Sequence, residues 1–234
     1  MYQNVYFEKQ EGIIHAWDDK KGYFTKKYRN YAYVEDGNGS YQSIYGDRLK
    51  KINYWKKEDN LKLYESDVNE VTRFLIDEYG DSDEVSEGNV VLTFDIEVEM
   101  NSGLPDITEA KNAMTSVAFH DSATKDYHVY VINDGDEINK TIKGAMVRSF
   151  RSEEDMLMAF LSKWEEISPT IITGWNIDFF DVTYLYNRLN RLLGTKNANR
   201  LSPIQKVHWN KYRQRYIIAG VSALDYMALF KNFT

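Results

Sequence analysis

Two acidic segments carry the chemistry readable in this chain. The first is Phe94-Asp95-Ile96-Glu97, set inside the apolar run Val90 to Val98. In a strand, residues i and i+2 point the same way, so Asp95 and Glu97 share one face. Val90, Leu92, Phe94, Ile96 and Val98 share the other, the expected core face. Two carboxylates so close repel each other, and a cation beside them relieves the repulsion. Hard oxygen donors select Mg²⁺ or Mn²⁺, and such sites hydrolyse phosphodiesters. An isolated pair of this kind is more often an ordinary solvent-facing edge. The second segment is Gly174-Trp175-Asn176, followed by Phe180-Asp181. Asp181 falls in the expected first helical turn after the Gly174 bend, where the helix dipole favours its ionised form. A strand-to-helix junction brings such a residue against the acids of a neighbouring strand. Asn176 is a candidate for holding a substrate phosphate or orienting the loop, and Asp178 for capping the helix.

Composition narrows the chemistry. The chain has 234 residues, no cysteine and four histidines. Disulfides and Cys-based zinc sites are excluded, and the histidines His15, His120, His128 and His208 lack HExxH spacing. Any metal would therefore sit on carboxylates and other oxygens. With 43% hydrophobic and 15% aromatic residues, the chain can build a core. No basic-then-apolar leader and no run approaching about 18 apolar residues is present, so no membrane partner is expected and the chain reads as soluble and intracellular. The net charge of −7 argues against a simple nucleic-acid coat. Yet Val182 to Leu224 contains no acid, while Arg188, Arg191, Lys196, Arg200, Lys206, Lys211, Arg213 and Arg215 fall there. That stretch is either a phosphate track or a solvated helix face with a charged loop.

The elements that position these residues follow from periodicity and turn chemistry. Strands are expected at 5–7, 13–17 and 28–34, with turns at 18–22 and 36–39 and a helix over 67–79. The acidic, polar segment 81–88 reads as a linker, which divides the chain into domains 1–88 and 89–234. Beyond it, strands are expected at 90–98, 117–119, 127–132 and 170–173. A helix starts after Ser152 and runs to about Trp164, and another runs from about Asp178 to Leu193. Residues 207–218 read as an exposed hairpin, 221–224 as a strand, and 226–230 as the start of a last helix. Strands alternating with helices give an α/β fold. Tyr79-Gly80-Asp81-Ser82-Asp83 looks like a metal-binding turn, but apolar strands do not flank it on both sides.

The run Thr173 to Val182, followed by Tyr184-Leu185-Tyr186-Asn187-Arg188, resembles the second exonuclease motif of family B DNA polymerases. Phe94-Asp95-Ile96-Glu97 resembles the first. Met156-Leu157-Met158, Leu201-Ser202-Pro203-Ile204 and Gly220 to Tyr226 are similar to the T-even-like bacteriophage branch. The similarity covers residues 89–234 well and residues 1–88 faintly. It implies a ribonuclease-H-like mixed sheet flanked by helices, preceded by a small α+β N-terminal domain. It implies 3′–5′ proofreading hydrolysis, with Asp95, Glu97 and Asp181 as catalytic residues holding two Mg²⁺ ions, Mn²⁺ being the alternative. One ion would activate water and the other would stabilise the leaving 3′ oxygen. DNA contacts are implied at Asn176, Phe180, Lys206, Lys211, Arg213 and Arg215, with Trp175 beside the terminal nucleotide.

The family's third motif, a Tyr followed four residues later by Asp, would fall beyond Thr234, as would the polymerase palm. The resemblance therefore implies the front part of a split or truncated polymerase. Its partners would be single-stranded and primer-template DNA and a second chain carrying the missing motif, in the cytoplasm of an infected bacterial host. The helix from Tyr226, with Phe230 and Phe233, would then dock on that second chain. Two alternatives stay open. One is a subunit that binds single-stranded DNA or RNA without cleaving it. The other is a stand-alone nuclease with Asp225 as a substitute acid.

Overall fold

The computed structural model describes residues 1–55, 61–100 and 103–233. Its contacts divide the chain into two units, 1–87 and 88–234. In the first, β1 (Tyr2–Glu8), β2 (Ile13–Asp18) and β3 (Gly22–Lys27) form an antiparallel meander. The second sheet has the order β5-β6-β4-β7, from β4 (Ala32–Glu35), β5 (Tyr41–Gln42), β6 (Arg48–Ile52) and β7 (Leu63–Tyr64). Helix α1 (Glu70–Tyr79) starts where Asn69 accepts the Thr72 N–H, and it buries Phe74 against Ile14 and Ala16. The strand expected over 28–34 breaks before Ala32, and β3 takes 22–27 instead. That strand is mostly exposed, so it carries no apolar alternation to read. The Tyr79 side chain packs with Phe74, and its hydroxyl donates to Asp18 at 3.0 Å. The Tyr79–Asp83 stretch is thus the end of a helix rather than a metal turn.

The second unit contains β8 (Val91–Val98), β9 (Met114–Asp121), β10 (Tyr127–Ile132), β11 (Asn139–Ile142) and β12 (Ala145–Phe150). These are followed by α2 (Glu153–Ile167), β13 (Ile171–Gly174), α3 (Asp181–Ala198), β14 (Val207–Asn210), β15 (Arg215–Ile218), β16 (Ser222–Asp225) and α4 (Tyr226–Phe233). The main sheet runs β11-β12-β10-β9-β8-β13-β16. β8, β9 and β10 are antiparallel neighbours, while β13 and β16 run parallel to β8. An antiparallel trio followed by two parallel strands, with helices in the crossovers, is the ribonuclease-H-like arrangement. Among the described residues, no helix is long and apolar enough to cross a membrane.

β8 alternates as its sequence requires: Leu92, Phe94 and Ile96 are buried, and Thr93, Asp95 and Glu97 are exposed. The buried face packs on α2 and α3 through Phe160, Trp164, Val182 and Leu185, with Phe94 edge-on to Trp164 at 6.1 Å. Ser152 caps α2 by accepting the Asp155 N–H, and acids fill the first turn. Glu153 then reaches out of that turn to two other elements. It accepts the Met114 N–H at 2.8 Å and a bidentate pair from Arg188 at 2.7 and 2.6 Å. Arg188 also donates to the carbonyls of Ala110 and Lys111. Arg200 is similarly bidentate to Glu165. Both arginines therefore leave the phosphate track read from the sequence and become ties between elements.

The Arg188–Glu153 pair is buried on both sides. Removing one partner strands a buried charge, which costs about 3–5 kcal/mol. Arg188→Ala should lower unfolding stability by that order, read as a shifted urea midpoint, whereas Arg191→Ala should change it by less than about 0.5 kcal/mol.

Candidate active site

The site forms where a strand stops early. β13 pairs with β8 through Ile171–Val91, Ile172–Leu92 and Thr173–Thr93, and then ends. At Gly174 a Cβ would lie 2.7 Å from the Phe94 carbonyl oxygen and 2.4 Å from Ile177 Cγ2, so only glycine passes there. The chain turns away through Asn176, whose φ of +61° suits asparagine. It returns with Asp181 as the first residue of α3. Asp181 Oδ1 accepts the Ile96 N–H at 3.1 Å, taking the place that a longer β13 would fill. A strand end thus delivers a carboxylate between the positions of Asp95 and Glu97.

Asp181 is 3% exposed. Burial pushes its pKa up to about 7, the Ile96 N–H pulls it down, and the charges of Asp95 and Asp225 push it up again. Asp95 and Glu97 lie on the exposed face of β8. The structure brings Asp181 within reach of the Asp95 charge. Among the described residues, however, no three His, Cys, Asp or Glu side chains gather closely enough to hold a metal ion. Glu97 shares the face but does not complete such a group.

The loop before Asp181 is clamped from below. Asp225 Oδ1 accepts the N–H groups of Asn176, Met227 and Ala228 at 3.1, 2.9 and 3.3 Å, and its Oδ2 accepts that of Asp178 at 3.2 Å. Its oxygens are committed to capping α4 and to fixing the loop, which disfavours the reading of Asp225 as a substitute acid. Asp178 is not the helix cap expected. The α3 cap position is Phe180, which makes no side-chain capping bond. Asp178 instead pairs with Arg215 of β15, and Asp178 Oδ1 and Arg215 Nε are buried without partners. Burial raises the Asp178 pKa, against the lowering effect of Arg215.

Arg215 therefore ties the hairpin to the loop through Asp178. β14 and β15 form the expected hairpin. Lys211 and Arg213 are exposed at its tip, where Asn210 Oδ1 accepts the N–H groups of Tyr212 and Arg213. Lys206 precedes β14, and its carbonyl accepts the Ala219 N–H. Phe180 is packed against the core and stacked with Tyr184 at 5.8 Å. Trp175 is exposed and lies against Tyr226 and Phe230 of α4. Sequence reasoning missed the Asp178–Arg215 tie and the fourfold clamp at Asp225. For the clamp, the only signal was an aspartate just before a helical run.

The sequence matches the DNA polymerase family B exonuclease domain over residues 79–234. The chain belongs to that family. It is similar to the DNA-directed DNA polymerase of Escherichia phage RB69, with 33% identity over 172 residues, covering 62% of this chain and 19% of the relative. It is also similar to the DNA-directed DNA polymerase of Enterobacteria phage T4, with 29% identity over 232 residues, 82% of this chain and 26% of the relative. The chain thus spans about a fifth to a quarter of the length of these curated relatives. The family B polymerase of the archaeon Pyrobaculum calidifontis shares the fold, with a TM-score of 0.63 and 17% identity, over 94% of this chain and 35% of that one.

Exonuclease domains of this family depend on divalent cations. The residues present fit such an ion in kind. All the candidate donors are carboxylate oxygens, and a carboxylate buried beside another acid gains most from a cation. They fit it incompletely in arrangement, because no three of them are gathered as a ligand set among the described residues.

The titration of Asp181 sets a sign for stability. Its folded pKa of about 7 lies above its ordinary value of 3.8. Between those values the native chain holds a proton that the unfolded chain has lost, so stability present at low pH is lost as pH rises through about 7. The loss is on the order of 4 kcal/mol at 1.4 kcal/mol per pH unit. Metal-free chain should melt at a lower temperature at pH 8 than at pH 5. Asp181→Asn, which keeps an acceptor for Ile96, should flatten that dependence. A flat wild-type profile between pH 5 and 8 would contradict the burial of this charge.

Proposed function

We propose that this chain is the N-terminal and 3′–5′ exonuclease part of a phage replicative DNA-directed DNA polymerase, hydrolysing the 3′-terminal phosphodiester of DNA primer strands. The observation that carries the reading is the placement of Asp181 on the Ile96 N–H beside Asp95. In this reading, residues 1–88 belong to the polymerase's N-terminal domain and 89–234 to its exonuclease domain. The chain works in the cytoplasm of the infected bacterial host.

In this reading Asp95, Glu97 and Asp181 would together hold two Mg²⁺ ions, with Mn²⁺ able to replace them. Bound there, the ions supply Lewis-acid activation of water and neutralise charge developing at the phosphate. The chain's own residues do the rest. The clamped loop holds Asp181 in position, and Asn176 of the same loop is assigned to the terminal phosphate. Phe180, fixed against Tyr184, forms a rigid wall beside the last nucleotide. Lys211 and Arg213, with Lys206 at the hairpin's base, follow the strand's backbone. A second reading is a subunit that binds single-stranded DNA or RNA without cleaving it, favoured by the absence, among the described residues, of any three acids or histidines gathered to hold a metal ion.

The two readings separate on 5′-labelled single-stranded DNA with Mg²⁺ or Mn²⁺, with and without the polymerase-bearing polypeptide. Stepwise 3′ shortening in the presence of that polypeptide is expected, and Asp95→Ala should reduce it at least about 100-fold. Shortening that survives Asp95→Ala would refute the assigned site, and binding without shortening in either mixture would establish the second reading. Lys211→Glu should weaken strand binding evenly across sequences and reduce its salt dependence by about one counterion.

A further inference from the structure

The β11–β12 end of the main sheet holds a cavity of about 480 Å³ that the exonuclease site does not use. Strand register shows on which side it lies. Phe94, Phe119 and His128 are neighbours across β8, β9 and β10, on the face packed against α2. Asp95, Ala118 and Val129 form the next row, so the carboxylates occupy the opposite face. β12 extends the His128 row with Met146 and the Tyr130 row with Arg148, and β11 adds Thr141 and Asn139. Lys163 of α2 lines the cavity from the helix side. His128 is 6% exposed and stacked on Phe119 at 4.8 Å, yet its Nε2 is buried with no hydrogen-bond partner. Such an atom costs free energy, and a phenylalanine would stack there without that cost. The charge around it is positive. Arg148 lies over the Phe150 ring at 4.8 Å and has no carboxylate partner among the described residues. Lys163 pairs with Glu166 at 2.6 Å, but Glu166 is largely exposed, so an anion can displace it without stranding a buried charge. Burial lowers the His128 pKa, the Lys163 charge lowers it further, and Asp126, Asp121 and Glu166 oppose. The ring is therefore neutral at neutral pH and, protonated at Nε2, a hydrogen-bond donor.

We propose that this cavity is a second binding site, on the sheet face away from Asp95, for a phosphate group carried by a small molecule such as a nucleoside monophosphate. Arg148 and Lys163 supply the charge, and His128, Thr141 and Asn139 supply neutral donors. A carboxylate offers fewer oxygens than these donors can serve, and a tetrahedral phosphate matches them better. The cavity exceeds what a bare phosphate needs and falls in the size range of small-molecule sites. Tyr130, Met146 and Val147 give the rest of it an apolar wall, suited to a planar or apolar body attached to the phosphate. A nucleic-acid strand carries the same phosphate chemistry, and the test separates the two sources.

The test uses the full chain, free of metal, and follows the His128 imidazole resonances by NMR as dAMP is added. His128→Phe assigns them among the four histidines. The His128 signals should move and saturate, and inorganic phosphate should compete. Arg148→Met and Lys163→Met should each weaken binding at least about tenfold, the effect of one charge-assisted hydrogen bond. Arg148 is exposed and Lys163 half-buried, so both variants should melt as wild type does. His128→Phe keeps the stack on Phe119 and removes the unpartnered nitrogen. It should be at least as stable as wild type and still bind dAMP at least about tenfold more weakly by calorimetry, a combination that a packing role alone does not give. Asp95→Ala should leave binding unchanged, whether or not the chain cleaves DNA. A short oligothymidylate that fails to compete would fix the free nucleotide as the source of the phosphate, and competition at equal phosphate concentration would move the source to the strand backbone and overturn the small-molecule assignment. His128 signals unmoved by dAMP and by phosphate, binding that survives both charge removals, or binding lost with Asp95→Ala would each overturn the site itself.

Discussion

One backbone hydrogen bond organises the site. The Ile96 N–H of β8 loses its strand partner when β13 stops, and Asp181 Oδ1 accepts it. A buried N–H without an acceptor costs about 1–3 kcal/mol, so the carboxylate is drawn in despite its own desolvation. The bond fixes the start of α3, and α3 in turn packs Val182, Leu185 and Leu189 into the core under β8. The same bond places a negative charge against Asp95 in a low-dielectric setting. Core packing and site electrostatics therefore meet at one residue. The fold holds the charge in place, and the charge is most favourable when a cation offsets it.

The loop from Gly174 to Phe180 is held by charges that come from outside it. Asp225 spends both carboxylate oxygens on four backbone N–H groups, two in the loop and two in α4. Arg215 reaches Asp178 from the hairpin, leaving Asp178 Oδ1 and Arg215 Nε buried without partners. The Asp178–Arg215 tie is thus less fully satisfied than the Asp225 clamp. The hairpin is joined to the loop by that ion pair and α4 by the Asp225 clamp.

Local periodicity made much of this legible from the sequence. The alternation from Leu92 to Glu97, the Ser152 cap of α2, the Gly174 bend and the 207–218 hairpin all depend on residues within one element or one turn. The parts that were not legible depend on residues far apart in the chain. Arg188, Arg200 and Arg215 read as one basic track, yet each is bound to an acid outside that stretch, Glu153, Glu165 and Asp178 respectively. Asp178 looked like the helix cap because it stands where a cap belongs. The helix begins at Asp181 because the Ile96 N–H draws that residue in, which local propensity does not encode. β3 was hidden because an exposed edge strand has no buried face to impose a pattern.

The most direct measurement is the titration of the Asp181 carboxyl carbon by NMR in the metal-free chain, repeated with Mg²⁺ and in Asp95→Asn. The expected midpoint is near 7 in the metal-free wild type. It should move down in the variant, because a neighbouring charge is gone, and further down with Mg²⁺. A midpoint at the ordinary carboxylate value, unmoved by either change, would mean that Asp181 is neither buried on the Ile96 N–H nor paired with Asp95, and the site as described would not exist.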